Sequence, residues 1–407
     1  MSRSVVCPRN AKSTVLSIIH RALLVMIGSL VVLPTSRAQD NAALASDSDF
    51  EQRIQRVVNG LRPATSGRPM TLVDRMNELH VPGVSIAIIH AGAIRARGFG
   101  HASIGGPPVL PETLFQAASI SKPVTAVAAL ALAQAGKLNL DGDVNLSLKN
   151  WKLPASSFSA QSKVTLRRLL NHSAGVTVRR FPGYAAGTPA PSLRNILDGE
   201  PPANTAPIVV HHKPGAQFEY SSGGYTIVQQ MLIDVSGKPF PNLLEEVVLK
   251  PLGMTHSSFL QPLPKNDAQI AATPYQATGA PVPGGPHTYP ELAAAGLWTT
   301  PTDLAHFALG VLDAWTGRDT SLLSQATALQ MLTSGFGDYG LGFVVRGRSP
   351  HQRFLHEGDN AGFLSSMILF ENGDGAVVMT NGANGGQLAS EIMHSISLEY
   401  DWPDGRP

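Results

Sequence analysis

Phe115-Gln-Ala-Ala-Ser-Ile-Ser-Lys122, followed by the apolar run Pro123–Leu132 and a stop at Gly136, is the stretch on which the reading of the chain turns. Ala and Leu dominate positions 126–135, so a helix is expected there, and glycine is the residue type that ends one. Pro123 does not oppose it, because a first-turn N–H has no intrahelical partner to lose. Ser119 and Lys122 are three apart, which on a helix sets both side chains on one face. A serine hydroxyl needs a neighbour to take its proton, and a lysine kept neutral by burial and by the positive helix N-terminus can do so. Lys122 is the one lysine of the chain with a serine three positions before it. The competing reading is a buried helix with Ser119 as its N-cap and Lys122 reaching for solvent.

Composition limits the classes of function. With 15% charged and 43% hydrophobic residues, the 407-residue chain is far from disordered composition and can bury a large core. Arg3, Arg9, Lys12 and Arg21 precede the apolar run Ala22–Leu33, and Ser36-Arg-Ala38 puts small residues where a signal peptidase reads. Residues 1–38 are therefore expected to be a signal peptide cleaved after Ala38, giving a periplasmic or secreted protein. The run is shorter than the ~20 residues a spanning helix needs, so no stable membrane span is expected after cleavage, the alternative being an uncleaved anchor that includes Val15–Ile19. That segment holds five of the 31 basic residues and none of the 29 acidic ones, so without it the net charge moves from +2 to −3. No basic tract remains, which excludes nucleic acid as a partner. Cys7 leaves with the signal, removing disulfides, a cysteine nucleophile and thiolate metal ligands from the exported chain.

Residues 39–50 read as a polar linker and 51–407 as one domain. Val84–Ile89 and Ala93–Phe99 flank His90-Ala-Gly92 as a hairpin, and Phe363–Phe370 and Ala376–Thr380 flank Asn372-Gly-Asp-Gly375 as another. Gln387–Tyr400 reads as an amphipathic helix. Strands at both ends and helical patches between them predict an α/β (α+β type) fold: one antiparallel sheet built from both ends, about 51–113 and 295–407, with a mostly helical part over about 114–294. Pro182–Pro214 and Pro262–Pro290 carry seven prolines each and read either as ordered loops walling the mouth of a site or as surface excursions with no role toward the substrate.

Two further patterns carry chemistry. In Glu219-Tyr-Ser-Ser-Gly-Gly-Tyr225, Tyr220 stands two before Ser222, and a phenol near a lysine ammonium can be held as phenolate or pass protons. In His356-Glu-Gly-Asp-Asn-Ala-Gly-Phe363, Gly358 and Gly362 permit close backbone approach, and such an edge can give an N–H to an oxyanion. No serine lies in Gly-x-Ser-x-Gly, and no His-Glu-x-x-His cluster is present. His211-His212 reads as a solvated loop pair and His172 as a residue that fixes a turn, so neither a metal nor a cofactor is expected.

In the order Ser-x-x-Lys, Tyr-x-Ser, His-x-Gly, the chain resembles the serine β-lactamase and D-alanyl-D-alanine peptidase superfamily. The likeness is closest to its class C-like branch of β-lactamases, DD-carboxypeptidases, D-aminopeptidases and family VIII carboxylesterases. Leu169–Gly175, Pro251–Phe259, Ala294–Leu304 and Tyr339–Phe343 are similar to supporting family stretches. The resemblance implies flanking helices around the sheet and an acyl-enzyme on Ser119, with Lys122 and Tyr220 sharing proton transfers and Ser222 bonded to Lys122 or the substrate. It also implies an oxyanion hole from the N–H groups of Ser119 and Asp359, with His356 and Gly358 in the place of a Lys-Thr-Gly element. The implied substrate is a small molecule or peptide with an ester, amide, D-peptide or β-lactam carbonyl. A β-lactamase proper, a DD-carboxypeptidase and a slow penicillin-recognising sensor are the alternatives, and the oligomeric state is left open. Two departures from the family pattern, Ser222 for asparagine and His356 for lysine, weaken the case for β-lactam hydrolysis.

Overall fold

The computed structural model describes residues 36–63 and 68–403, so most of the expected signal peptide lies outside the described residues. Helix α1 (Ser36–Asn59) includes the positions read as linker. The compact unit of the fold begins at Phe50. Among the described residues, no helix is long and apolar enough to cross a membrane.

Both hairpins form where the turn residues put them. β1 (Gly83–His90) and β2 (Ala93–Gly100) pair antiparallel across Ala91 and Gly92, both at positive φ. That is the turn geometry whose twist matches a two-residue hairpin. Near the other end, β3 (Val344–Arg346) leads to β4 (Arg353–Asn360), β5 (Phe363–Phe370) and β6 (Gly375–Thr380). The six strands form one antiparallel sheet in the order β2-β1-β6-β5-β4-β3. β1 sits against β6 with Val84 opposite Thr380, so the two ends of the chain close one sheet.

The alternation of buried side chains shows that both faces are covered. Ala87, Ile89, Met367, Leu369, Val377 and Met379 share one core with Leu304, Phe307 and Val311 of helix α5 (Pro301–Thr316). Val84, Ile86, Ile88, Ile368, Ala376 and Val378 share the other with Ile54 and Val57 of α1 and with Leu388, Ile392 and Ile396 of α6 (Gly385–Glu399). Each such aliphatic side chain contributes on the order of 1.5–3 kcal/mol by leaving water. Helix α2 (Leu72–Glu78) belongs to this second layer, tied to α6 by the buried Arg75–Glu391 pair.

The helical part lies between. A 3₁₀ turn over Ala118–Ile120 runs into α3 (Ser121–Gln134), whose residues from Ser121 to Leu130 are all buried. A helix apolar all round belongs in a core rather than at a surface. It stops at Ala135, and Gly136 follows at φ 72. α4 (Ser222–Ser236) packs alongside, beginning four residues earlier than the apolar run alone predicts because Ser221 caps it, accepting from Gly224 N–H. The two proline-rich segments are ordered and pair with each other through reciprocal Tyr184–Thr288 backbone bonds of 2.9 and 2.8 Å.

Candidate functional site

Ser119 is carried on the 3₁₀ turn, one residue after Ala118, which sits at φ 51. A left-handed alanine costs roughly 1–2 kcal/mol, and tertiary contacts hold it. Ser121 Oγ donates to Ala118 O at 2.6 Å and accepts from Leu297 N–H at 3.0 Å, while Ser365 Oγ donates to Ala117 O at 2.9 Å. The turn is thus pinned between the helical part and the sheet.

The Ser119 and Lys122 side chains meet as the spacing predicts. Lys122 Nζ donates to Ser119 Oγ at 2.9 Å and to Ala294 O at 2.9 Å. Lys122 has no exposed surface, which rules out the solvent-reaching alternative. Burial, with the Arg180 cation adding to it, pushes its amine down to about 7. Near neutral pH a large fraction of the amine is unprotonated. In that form one N–H can keep the Ala294 bond while the lone pair faces the Ser119 hydroxyl.

Tyr220 reaches the same point from the residue before the α4 cap. Its ring centroid lies 5.1 Å from Lys122 Nζ, and its phenol is close enough to the Ser119 side chain for that hydroxyl to offset part of the effect of burial. Burial pushes the phenol up to about 12, against the phenolate that the sequence allowed. His172 fixes its position. The imidazole stacks on the Tyr220 ring at 4.2 Å, and its Nδ1 accepts from Ser221 N–H at 3.1 Å. The turn-fixing role expected of His172 therefore extends to the tyrosine. Ser222 stands at the first position of α4, and the Nζ partners of Lys122 are Ser119 and Ala294 instead of Ser222.

The His356–Asp359 element is itself part of β4, whereas the sequence reading placed a strand only after it. Beyond Leu355 the β3 side of β4 is unpaired, and the Ser119 turn lies against it. A Cβ on Gly358 would stand 2.2 Å from Ala117 O and 2.2 Å from Ser365 Oγ, so nothing larger than glycine fits this contact. His356 is buried, with Nε2 2.8 Å from the Tyr339 hydroxyl and Nδ1 2.7 Å from Glu357 O. Since a carbonyl only accepts, Nδ1 carries the proton and Nε2 accepts from Tyr339. Burial, reinforced by Lys122, pushes the imidazole down to about 3, so His356 is a neutral group. Asp359 turns its carboxylate outward to Arg180 at 2.6 Å.

A cleft lined by Ser119, Tyr220, His356, Gly358, Arg179 and Arg180 opens over these groups, part of a cavity of about 920 Å³ that continues round the sheet edge to Ile368, Ala389 and Met393 on the α6 face. The lining includes no residue of the two proline-rich segments, which favours the reading of them as surface excursions; Arg179 and Arg180, just before the first segment, stand at the wall instead. Val178 precedes them at φ 66, an unusual conformation for a β-branched residue. The sequence reading missed Arg179, Arg180 and Tyr339 as site residues. Tyr339 lay in a stretch already seen to be family-like, but an isolated arginine pair in a loop gives no periodic signal.

The Beta-lactamase family model matches residues 70–397. A putative penicillin-binding protein, PbpX, of Bacillus subtilis (strain 168) is 25% identical over 355 residues, covering 82% of this chain and 80% of that protein. Protein flp of Staphylococcus aureus (strain N315) is 29% identical over 240 residues, 58% of this chain and 45% of its own length, so the chain spans less than half of that relative. Among solved structures, the octameric penicillin-binding protein homologue from Pyrococcus abyssi superposes with a TM-score of 0.64 at 25% identity, covering 81% of this chain and 76% of that one. The D-amino acid amidase from Ochrobactrum anthropi SV3 shares the fold with a TM-score of 0.66 at 21% identity, covering 86% and 99% of the two chains.

Proposed function

The chain belongs to the Beta-lactamase family of serine hydrolases, and on that premise we propose that it turns over acyl compounds through an acyl-enzyme on Ser119. The observation that carries this reading is the 2.9 Å contact from Lys122 Nζ to Ser119 Oγ, made by an amine that burial keeps close to neutral. Lys122 takes the hydroxyl proton as Ser119 attacks the carbonyl. Tyr220, whose ring stands beside Lys122 and whose phenol lies near the same hydroxyl, carries the proton on to the leaving group. The negative charge that develops on the carbonyl oxygen is met by the N–H groups of Ser119 and Asp359, where the helix start abuts β4. Water then releases the acyl group by the reverse relay.

The cleft favours some acyl compounds over others. His356 is neutral and hydrogen-bonded at both nitrogens, so it brings no cation to the position. Positive charge comes instead from Arg179 and Arg180 at the cleft wall. The missing cation at position 356 weakens the case for a β-lactam, and the arginines at the wall put a carboxylate-bearing D-peptide ahead of a neutral ester. Proteins that share the fold include a D-amino acid amidase from Ochrobactrum anthropi SV3 and a β-lactamase/D-alanine carboxypeptidase from Yersinia pestis, so the fold accommodates both amide and β-lactam substrates. Residues 1–38 direct the enzyme out of the cytoplasm, and cleavage after Ala38 frees it in the periplasm or beyond.

Purified protein assayed with a D-alanyl-D-alanine peptide, a short-chain p-nitrophenyl ester and a penicillin tests the reading. Turnover of the peptide or ester at rates above those for the penicillin is expected. A lasting adduct with no turnover would make the protein a penicillin-recognising sensor, and neither product nor adduct from any of the three would end the hydrolase assignment.

A further inference from the structure

Ten residues before Ser221, on the far side of the turn that positions Tyr220, His211 and His212 converge on Glu219. One ligand atom from each lies within 4.8 Å of the other two, and this is the one such His/Cys/Asp/Glu group among the described residues. His211 Nε2 stands 3.1 Å from Glu219 Oε1, and His212 Nε2 stands 3.6 Å from Glu219 Oε2. These spacings bracket the edge of a tetrahedron around an ion bound at 2.0–2.1 Å, about 3.3 Å. His211 Nε2 and Glu219 Oε2 are buried, yet neither makes a hydrogen bond despite the short approach. Two lone-pair donors shielded from water and aimed past each other are what a cation between them would satisfy. The three side chains retain 36%, 48% and 30% exposure, which leaves a path from solvent.

The backbone under the three groups is tied to a single turn. The N–H groups of His211 and His212 both donate to Gly175 O, at 2.9 and 3.2 Å, and Glu219 N–H donates to His172 O at 2.7 Å. One turn, His172–Gly175, therefore holds all three ligand-bearing residues. Gly175 is at φ 65, and a Cβ there would lie 2.5 Å from His212 O, so the close approach of the two strands depends on its being glycine.

We propose that His211, His212 and Glu219 form a binding site for a divalent transition-metal ion, zinc above all. Two imidazoles and one carboxylate are the donor set that zinc takes, whereas calcium and magnesium require oxygen ligands. Three protein ligands leave a fourth position for water. Because Glu219 adjoins Tyr220, and His172 both accepts from Glu219 and stacks on Tyr220, an ion at this point locks the segment that delivers the phenol to Ser119. The ion is structural here and takes no part in acyl transfer. The sequence alone did not show this site, because the carboxylate stands seven residues beyond the histidine pair.

The test uses the full chain, stripped of metal with a chelator and then titrated with zinc chloride. One zinc per chain by native mass spectrometry, with a rise in the thermal unfolding midpoint, is expected. The His211→Ala/His212→Ala double variant and Glu219→Gln should each bind at least about tenfold more weakly and lose the midpoint rise while still folding. Cobalt(II) added in place of zinc should give the intense visible bands of a four-coordinate ion, and millimolar magnesium or calcium should not displace it. Absence of uptake by the wild-type chain at micromolar zinc, or equal uptake by the double variant, overturns the proposal and leaves the Ser119 chemistry untouched.

Discussion

A lysine amine with no exposed surface, pushed down to about 7, gains or loses its proton within an ordinary buffer series. If neutral Lys122 is the base, kcat/KM rises about tenfold per pH unit below about 7 and levels off above it. A profile flat from pH 5.5 to 8.5 would remove Lys122 from that role. Arg180→Ala deletes a cation that helps to lower this amine, so the midpoint of the profile should move to higher pH. The same group sets a stability difference whose sign can be worked out. Unfolded, the lysine keeps its proton up to about 10.5, whereas the folded chain gives it up near 7, so between those values the unfolded state holds more protons. The contribution of Lys122 to stability therefore rises with pH across that window. Lys122→Met should abolish turnover and be more stable than wild type at pH 7, with the advantage shrinking toward pH 10 in urea denaturation. At this scale the contact between Ser119 and Lys122 was legible, because three residues on a helix start is a local spacing. Tyr220 was singled out by its own Tyr-x-Ser pattern and not by any nearness to that pair in the chain. The sequence did not reveal His172 or Arg180 as partners of those groups, since both act across space from a loop whose path no periodicity fixes.

Strand β4 and the start of α3 meet through a single residue without a side chain. Gly358→Ala would drive a Cβ into the Ala117 carbonyl, and neither backbone can yield without moving the Ser119 turn. A stability loss of about 1–3 kcal/mol is expected. The fall in kcat/KM should be larger than that loss explains, because the two N–H groups proposed for the oxyanion move apart. A variant with wild-type kcat/KM would show that β4 does not contribute to the reaction. Both hairpins were legible at this scale, since Ala91-Gly92 and Asn372–Gly375 are turn residues between alternating apolar runs. The extension of β4 through His356–Asn360 was not, because Glu357, Gly358 and Asp359 have low strand preference. Pairing with β5 over the full length of both strands overrides it. The proline-rich segments were rightly read as ordered, but a count of prolines carries no direction, and they pair with each other beside the cleft instead of lining it.

Across the whole molecule, the layer formed by α2 and α6 behind the sheet is joined by one buried ion pair. Arg75 Nε and Nη2 each donate to Glu391 at 2.7 Å, and the two residues are 2% and 8% exposed. Arg75→Ala leaves a carboxylate buried without its partner and should cost about 3–5 kcal/mol, whereas the Arg75→Met/Glu391→Leu pair should recover most of it. Equal losses in the single and double variants would place the effect in packing instead of charge. A sheet closed by the two ends of the chain with helices inserted between was readable from the order of the patterns alone. The meeting of Ser119, Tyr220 and His356 around one cleft is a property of the closed sheet, to which no local stretch points. Intact-mass measurement of the protein mixed with a p-nitrophenyl ester or a penicillin and quenched within seconds tests that convergence most directly. Wild type should gain the mass of one acyl group, mapped by peptide digestion to Ser119, and folded Ser119→Ala should gain none; an adduct of equal yield on the variant would contradict an acyl-enzyme at this serine.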